Sequence, residues 1–256
     1  MEKFDVILPA GGAFKGPLAD QTKVPHKTLL APFGETLLQT GIKAILESGR
    51  ANRIAVPGEG CVHDQLRETD FRLVPGGTTG PGTILNGLRA LRQNGPLTDR
   101  LLLVTTDLPF IEARHINEFV DRAPKNADLA VAVCNSSEFE VVFPNSTNTY
   151  VKLNDGKWTV GGVFLVKAEP FERAISHLES VFINRKSVLG MVRLLGPKFL
   201  LQFALRRVGV EDVIRKVESI LGCSGAAVYK SAPELAFDID DVEDYEYAIA
   251  HRRTRA

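Results

Sequence analysis

Cysteine is scarce, and its placement excludes more than its number does. Cys61, Cys134 and Cys223 lie far apart and make no C-x-x-C pair. They form no metal-ligand pair, and reduced thiols in a cytoplasmic protein are expected. Long apolar runs are lacking as well: no window reaches the ~18–20 residues of a membrane span. The densest, Phe199–Leu205, leads straight into Arg206 and Arg207. The opening residues show no basic region followed by an apolar stretch, so no signal peptide is expected. Charge of one sign is also missing. Thirty-one basic residues balance thirty-one acidic ones, which removes any global field for nucleic acid or an acidic membrane, although a local basic patch stays open. No repeat and no low-complexity linker divides the chain, and no Ser-His-Asp or Cys-His arrangement marks a protein nucleophile.

What is present is an ordinary globular composition, 44% apolar and 24% charged over 256 residues, enough to bury a sizeable core. The first half alternates strand and helix. Asp5–Pro9, Arg53–Val56, Arg72–Val74, Leu101–Thr105 and Leu129–Val133 are predicted strands. The apolar stripes of Leu37–Ser48, of Ile84, Leu85, Leu88 and Leu91, and of Ile116, Phe119 and Val120 predict helices between them. That rhythm implies a mostly parallel sheet with right-handed crossovers. In the second half, Val141–Phe143, Tyr150–Leu153 and Val160–Val166 are predicted strands. A mainly helical stretch follows, then strands at Ala226–Tyr229 and Leu235–Phe237 and a last helix from Val242. The expected organisation is one domain over 1–256 with a helical insertion at about 168–222.

Five segments carry candidate chemistry. The first is the turn Ala10-Gly11-Gly12-Ala13-Phe14-Lys15-Gly16 after the first strand. It is either a tight strand-to-helix turn or a cradle of backbone N–H groups for phosphate. It matches neither the dinucleotide fingerprint nor a Walker loop. The second is Lys27, a compact cation suited to phosphate oxygen, close to Lys23 and His26. The third is Asp107, at the carboxyl end of an apolar strand, where open α/β sheets bind ligands and where Mg²⁺ finds a carboxylate; the alternative is an Asx turn. The fourth is Asp238-Ile239-Asp240-Asp241, in which alternation puts Asp238 and Asp240 on one side and Asp241 at the cap of the last helix. The fifth is the glycine loop Gly76–Gly82 leading to Thr83, Asn86 and Gly87, a place for a base or ribose or simply a long loop.

Taken in order, these pieces resemble the MobA-like and sugar-phosphate nucleotidyltransferases. The resemblance rests on Leu8–Lys15, on His26-Lys27-Thr28-Leu29-Leu30, on Asp107-Leu108-Pro109 and on Asp238–Asp244. The stretch Gly76–Leu88 is similar to the base-binding region of the methylerythritol-phosphate cytidylyltransferases. Pro9, Ala13 and Lys15 depart from the commoner signature.

The resemblance implies a three-layer α/β/α, GT-A-like and Rossmann-like fold with a mostly parallel mixed sheet. It implies a Mg²⁺-dependent transfer of a nucleoside monophosphate from a triphosphate, CTP or GTP, with release of pyrophosphate. Ala10, Gly11, Gly12, Ala13 and Lys15 would face the triphosphate and Lys27 the α-phosphate. Gly76, Gly77, Thr83, Asn86 and Gly87 would face the nucleoside. Asp107 and Asp240 would hold the metal, with Asp238 in support. Beside the resemblance, the residues themselves offer the acceptor, a small or lipid-like phosphate or alcohol, a close backbone approach at Gly161 and Gly162 and cations at Lys152, Arg185 and Lys186; the alternative for each is a solvated surface. Phe199–Arg207 is foremost a core helix, with a cover for a lipid-like acceptor, a peripheral membrane contact or a dimer face as alternatives. Monomer and homodimer both stay open. The main rival is a nucleotide-binding regulatory module without catalysis. A Rossmann oxidoreductase lacks its acidic residue ~20 positions past the turn.

Overall fold

The structure is a computed structural model that describes residues 1–12, 14–66, 71–184 and 188–255. Ala13, Arg185 and Lys186 fall outside the described residues. In chain order the elements are β1 (Phe4–Ile7), α1 (Pro17–Thr22), α2 (Leu37–Ser48), β2 (Ala51–Gly58), α3 (Gly60–His63), β3 (Phe71–Pro75) and α4 (Gly80–Gln93). Then come β4 (Arg100–Val104), α5 (Ala113–Arg122), β5 (Leu129–Asn135), α6 (Ser136–Val142), β6 (Val151–Leu153) and β7 (Gly156–Lys167). The chain continues through α7 (Ala168–Asn184), α8 (Val188–Leu195), α9 (Pro197–Ala204), α10 (Val210–Leu221), β8 (Gly225–Val228) and α11 (Val242–Arg255).

Among the described residues, eight strands form one mixed sheet in the order β3-β2-β1-β4-β7-β5-β8, with β6 paired to β7. Neighbours run parallel except where β7 meets β4, β5 and β6. Every residue of β1 and β4 is buried, because helices cover both faces. Alternation along these strands sorts the core into two layers. Val6, Leu102 and Val104 pack with Leu38, Ile45, Ile116 and Phe119 of α2 and α5. Ile7, Leu101 and Leu103 pack with Leu88, Leu91, Phe171 and Ile175 of α4 and α7. The result is the expected α/β/α sandwich.

A third cluster of apolar groups sits past the carboxyl end of β4. It joins Leu18, Leu30, Phe139, Phe143, Phe237 and Ile239, and Phe110 lies 5.1 Å from Phe143 and 5.2 Å from Phe237, ring centre to ring centre. This cluster docks the 3-10 turn Lys27–Leu29 and the Asp238–Asp240 segment beside β4, and so builds the candidate site.

Three sequence expectations change. Val141–Phe143 ends α6 and is not a strand. The Asn135 side chain accepts from Ser137 N–H at 3.0 Å and Glu138 accepts from Asn135 N–H at 3.3 Å, a capping box that outweighs β-branched propensity. Leu235–Phe237 is not a strand: Leu235 ends a 3-10 turn begun at Pro233, and the Leu235 and Ala236 N–H groups donate back to the Ala232 and Pro233 carbonyls at 2.9 Å, so they are used within the turn and not in a ladder. Phe199–Leu205 is no core helix: α9 buries none of its side chains, and Leu201, Phe203 and Leu205 are exposed.

Candidate active site

The glycine turn leaves β1 without breaking the ladder to β2. Leu8 and Ala10 donate to Ala55 and Pro57 carbonyls at 2.9 and 2.8 Å. Pro9 falls at the intervening position, so its missing N–H costs no bond there, and its carbonyl accepts from Thr106 Oγ1 at 2.9 Å. Gly12 then turns with φ of 119°, a conformation L side chains rarely adopt. Its carbonyl lies 3.0 Å from His26 Nδ1. Lys15 is exposed beyond it.

The second glycine loop meets the first. A Cβ on Gly11 would lie 3.4 Å from Gly76 Cα, so the two segments expected to face a nucleotide are neighbours. Within the loop, Thr83 Oγ1 accepts from Gly77 N–H at 3.0 Å and donates to Thr79 O at 2.9 Å. Thr79 Oγ1 caps α4 by accepting from Gly82 N–H at 3.0 Å. A Cβ on Gly77 would come within 2.5 Å of the Gly82–Thr83 backbone, so only glycine closes this loop. Asn86 donates to Pro75 O at 3.1 Å, and Gly87 lets α4 approach Ile7 and Pro57. Thr83 Oγ1 and Asn86 Nδ2 are thus engaged within the chain, shaping the loop.

Asp107 leaves the end of β4 and meets residues from both ends of the chain. Its Oδ2 accepts from Lys27 Nζ at 2.9 Å, and the same ammonium donates to Asp240 Oδ1 at 2.5 Å. Asp107 Oδ1 is buried with no hydrogen-bond partner. The Ile239 N–H donates to the Asp107 carbonyl at 3.1 Å, and buried Ile239 turns Asp238 and Asp240 to the site as alternation implied. One oxygen from each of Asp107, Asp238 and Asp240 lies within 4.8 Å of the others. Burial, followed by the charges of Asp107 and Asp240, pushes Asp238 up to about 7. Burial works against the Lys27 ammonium, but the two carboxylates outweigh it and hold its pKa above the usual lysine value. Asp241 caps α11 by accepting from Asp244 N–H at 3.1 Å. Asp244 accepts from Asp240 N–H at 2.9 Å and so holds the loop.

A groove of about 540 Å³ runs from Asp238, Asp240 and Asp244 past Asn148, Trp158 and Val160. An apolar pocket of about 180 Å³ adjoins it, sharing Val151, Trp158, Thr159 and Val160 and reaching Leu153 and Val213. Among the residues assigned to the acceptor, Lys152 is exposed on β6. Gly161 and Gly162 do not offer open backbone. A Cβ on Gly161 would meet Leu235 O at 2.8 Å, and one on Gly162 would overlap Thr105 Oγ1. The close approach comes from this chain, not a ligand. Sequence reasoning had no signal for Asn148, whose side chain donates to Ala236 O at 3.1 Å and accepts from Thr159 Oγ1 at 3.2 Å.

A sequence profile of the MobA-like NTP transferase domain matches residues 7–186. The chain belongs to the MobA-like NTP transferase family. As a nucleotidyltransferase of this family it is similar to a hypothetical transferase from Thermus thermophilus, at 27% identity and a TM-score of 0.78 over 96% of this chain and 100% of the other. Two 2-C-methyl-D-erythritol 4-phosphate cytidylyltransferases share its fold. The one from Thermus thermophilus is 17% identical, with a TM-score of 0.57 over 98% of this nucleotidyltransferase and 99% of the other chain. The one from Francisella tularensis is 15% identical, with a TM-score of 0.58 over 98% and 100%. No match is found among the curated proteins.

Proposed function

We propose that this nucleotidyltransferase moves a nucleoside monophosphate from CTP or GTP to a phosphorylated or hydroxyl acceptor in a Mg²⁺-dependent reaction. An acceptor oxygen attacks the α-phosphorus, the bond to the β-phosphate oxygen breaks, and pyrophosphate leaves; a hydroxyl acceptor loses its proton to solvent. The observation that carries the reading is the Lys27–Asp107–Asp240 cluster, tied to the glycine turn through Thr106–Pro9 and His26–Gly12.

The donor set fits Mg²⁺. It offers carboxylate oxygens only, as a hard cation prefers, and Asp107 Oδ1 is a buried acceptor still lacking a partner. Asp107 and Asp240 would hold the ion, with Asp238 in support. Bound there, Mg²⁺ would neutralise triphosphate charge. The Gly11 and Gly12 amides and Lys15 would orient the triphosphate. Lys27, already poised among the carboxylates, would stabilise charge growing at the α-phosphate. Such catalysis is positioning and electrostatics, so no protein nucleophile is needed. The groove along Asn148 and Trp158 would take the acceptor.

We further read residues 1–256 as one domain with an insertion at about 168–222, acting in the cytoplasm. Among the described residues no helix is long and apolar enough to cross a membrane. Thermal shifts with each of the four nucleoside triphosphates, with and without Mg²⁺, test the reading, since ligands of the native state raise its apparent stability. One responding base, only with Mg²⁺, followed by pyrophosphate release with an acceptor, is the expected result. Binding indifferent to Mg²⁺, with no pyrophosphate from any acceptor tried, would favour a regulatory module instead.

A further inference from the structure

Between Glu179 and Glu211 the sequence contains no acidic residue, yet it contains Arg185, Lys186, Arg193, Lys198, Arg206 and Arg207. The whole chain carries a net charge of zero, so the basic excess of this stretch is local. The same stretch is rich in leucine, valine and phenylalanine. In the fold, its α9 segment leaves part of that apolar surface uncovered: Leu201 is 61% exposed and Leu205 55%, while Phe203 lies on the other side of the helix. Lys198, Leu201 and Leu205 share one helix face by their spacing, and Arg206 and Arg207 follow directly, both exposed. The backbone holds these two arginines in place, with Arg206 and Arg207 N–H groups donating to Phe203 and Gln202 carbonyls at 2.9 Å.

We propose that α9 and Arg206–Arg207 dock this protein on an anionic lipid bilayer. An apolar patch rimmed by cations has the two attractions that hold a helix at a membrane interface: burial of apolar side chains among the acyl chains and attraction to anionic headgroups. A second copy of the chain is the poorer occupant, because a two-fold contact would set like-charged patches against each other. A nucleic acid would use the cations but leave Leu201 and Leu205 in water. The surface also has a defined place on the molecule. The chain returns from α9 at Val208, whose carbonyl accepts from Asn154 N–H at 2.9 Å, and Val210 N–H donates to Asp155 at 2.9 Å. Those bonds fasten it to the β6–β7 hairpin, whose Leu153 and Trp158 line the apolar pocket beside the acceptor groove. A lipid-like acceptor would suit that placement; this consequence rests on the nucleotidyltransfer reading, and the docking itself does not.

Flotation of the full chain with vesicles of phosphatidylcholine alone, and of phosphatidylcholine mixed with phosphatidylglycerol, tests the docking without nucleotide. We expect the chain to float with the anionic vesicles only, and binding to fall as salt rises. Arg206→Glu with Arg207→Glu should weaken it by at least about fivefold per charge, and Leu201→Ser with Leu205→Ser should weaken it without removing the salt dependence. Cooperative thermal unfolding close to that of the parent would show that both variants fold. Absence of flotation, equal binding to neutral vesicles, or a concentration-dependent dimer that the same substitutions abolish would overturn the proposal.

Discussion

The Lys27 ammonium lies 2.9 Å from Asp107 Oδ2, joining residues 80 apart in sequence. With Asp240 as its second partner, this one cation spans the 3-10 turn, the end of β4 and the segment before α11. The pair therefore ties the phosphate-facing half of the site to its acidic half. Lys27→Ala and Asp107→Ala should each slow pyrophosphate release by about 100- to 1000-fold, equivalent to about 2.7–4 kcal/mol for one preorganised charge. Circular dichroism should show the fold retained. Near-parental turnover by either variant would remove these residues from the reaction.

Asp238 makes the metal-free protein sensitive to pH. Its folded pKa, about 7, exceeds its ordinary value of 3.8, so the folded state holds a proton that the unfolded chain has released. Stability from this group is greatest in acid and is lost as pH rises from about 4 to about 7, by about 4 kcal/mol at most. Urea unfolding at about pH 5 and about pH 8 should show the loss, and Asp238→Asn should flatten it.

Asp5 anchors the opposite end of the sheet. Its fully buried carboxylate accepts from Asn52 Nδ2 and Arg53 Nε at 2.9 Å, from Thr98 N–H at 3.1 Å, and from Arg53 Nη2. Arg53 in turn donates to Leu91 and Asn94 carbonyls at the end of α4, at 3.0 Å each. Burial raises the Asp5 pKa, but the hydrogen bonds from Arg53, Thr98 and Asn52 outweigh it and hold it below the ordinary value. Its contribution is present above that ordinary value and is lost as pH falls through the lowered one. Asp5→Ala should cost about 3–5 kcal/mol in urea unfolding, far from the site.

Gly162 is a packing glycine. Gly162→Ala should destabilise by about 1–3 kcal/mol through its clash with Thr105. Thr105→Ala in the same chain should restore part of that, a coupling readable in a double-mutant cycle. Independent effects would place the clash elsewhere.

Strands buried on both faces are continuous apolar runs, and helices over them are periodic, so β1, β4, α2, α4 and α5 could be read from residues alone. Asp107-Leu108-Pro109 was legible for the same reason: the strand before it has a visible end. The contacts of Lys27 were not, because its partners lie 80 and 213 residues away and local pattern carries no such information. Gly161 and Gly162 looked like room for a ligand, since sequence does not show that Leu235 and Thr105 fill the space. Phe199–Leu205 looked like core because apolar content says nothing of what covers it.

Triphosphate and metal are expected to meet between the glycine turn and the acidic cluster. The most direct measurement is an anomalous difference map from crystals soaked with Mn²⁺ and a non-hydrolysable CTP or GTP analogue. We expect a metal peak bonded to Asp107 and Asp240, with the triphosphate over Gly11 and Gly12. Nucleotide bound elsewhere, or bound at the turn with no metal at Asp107, would rule out that meeting point.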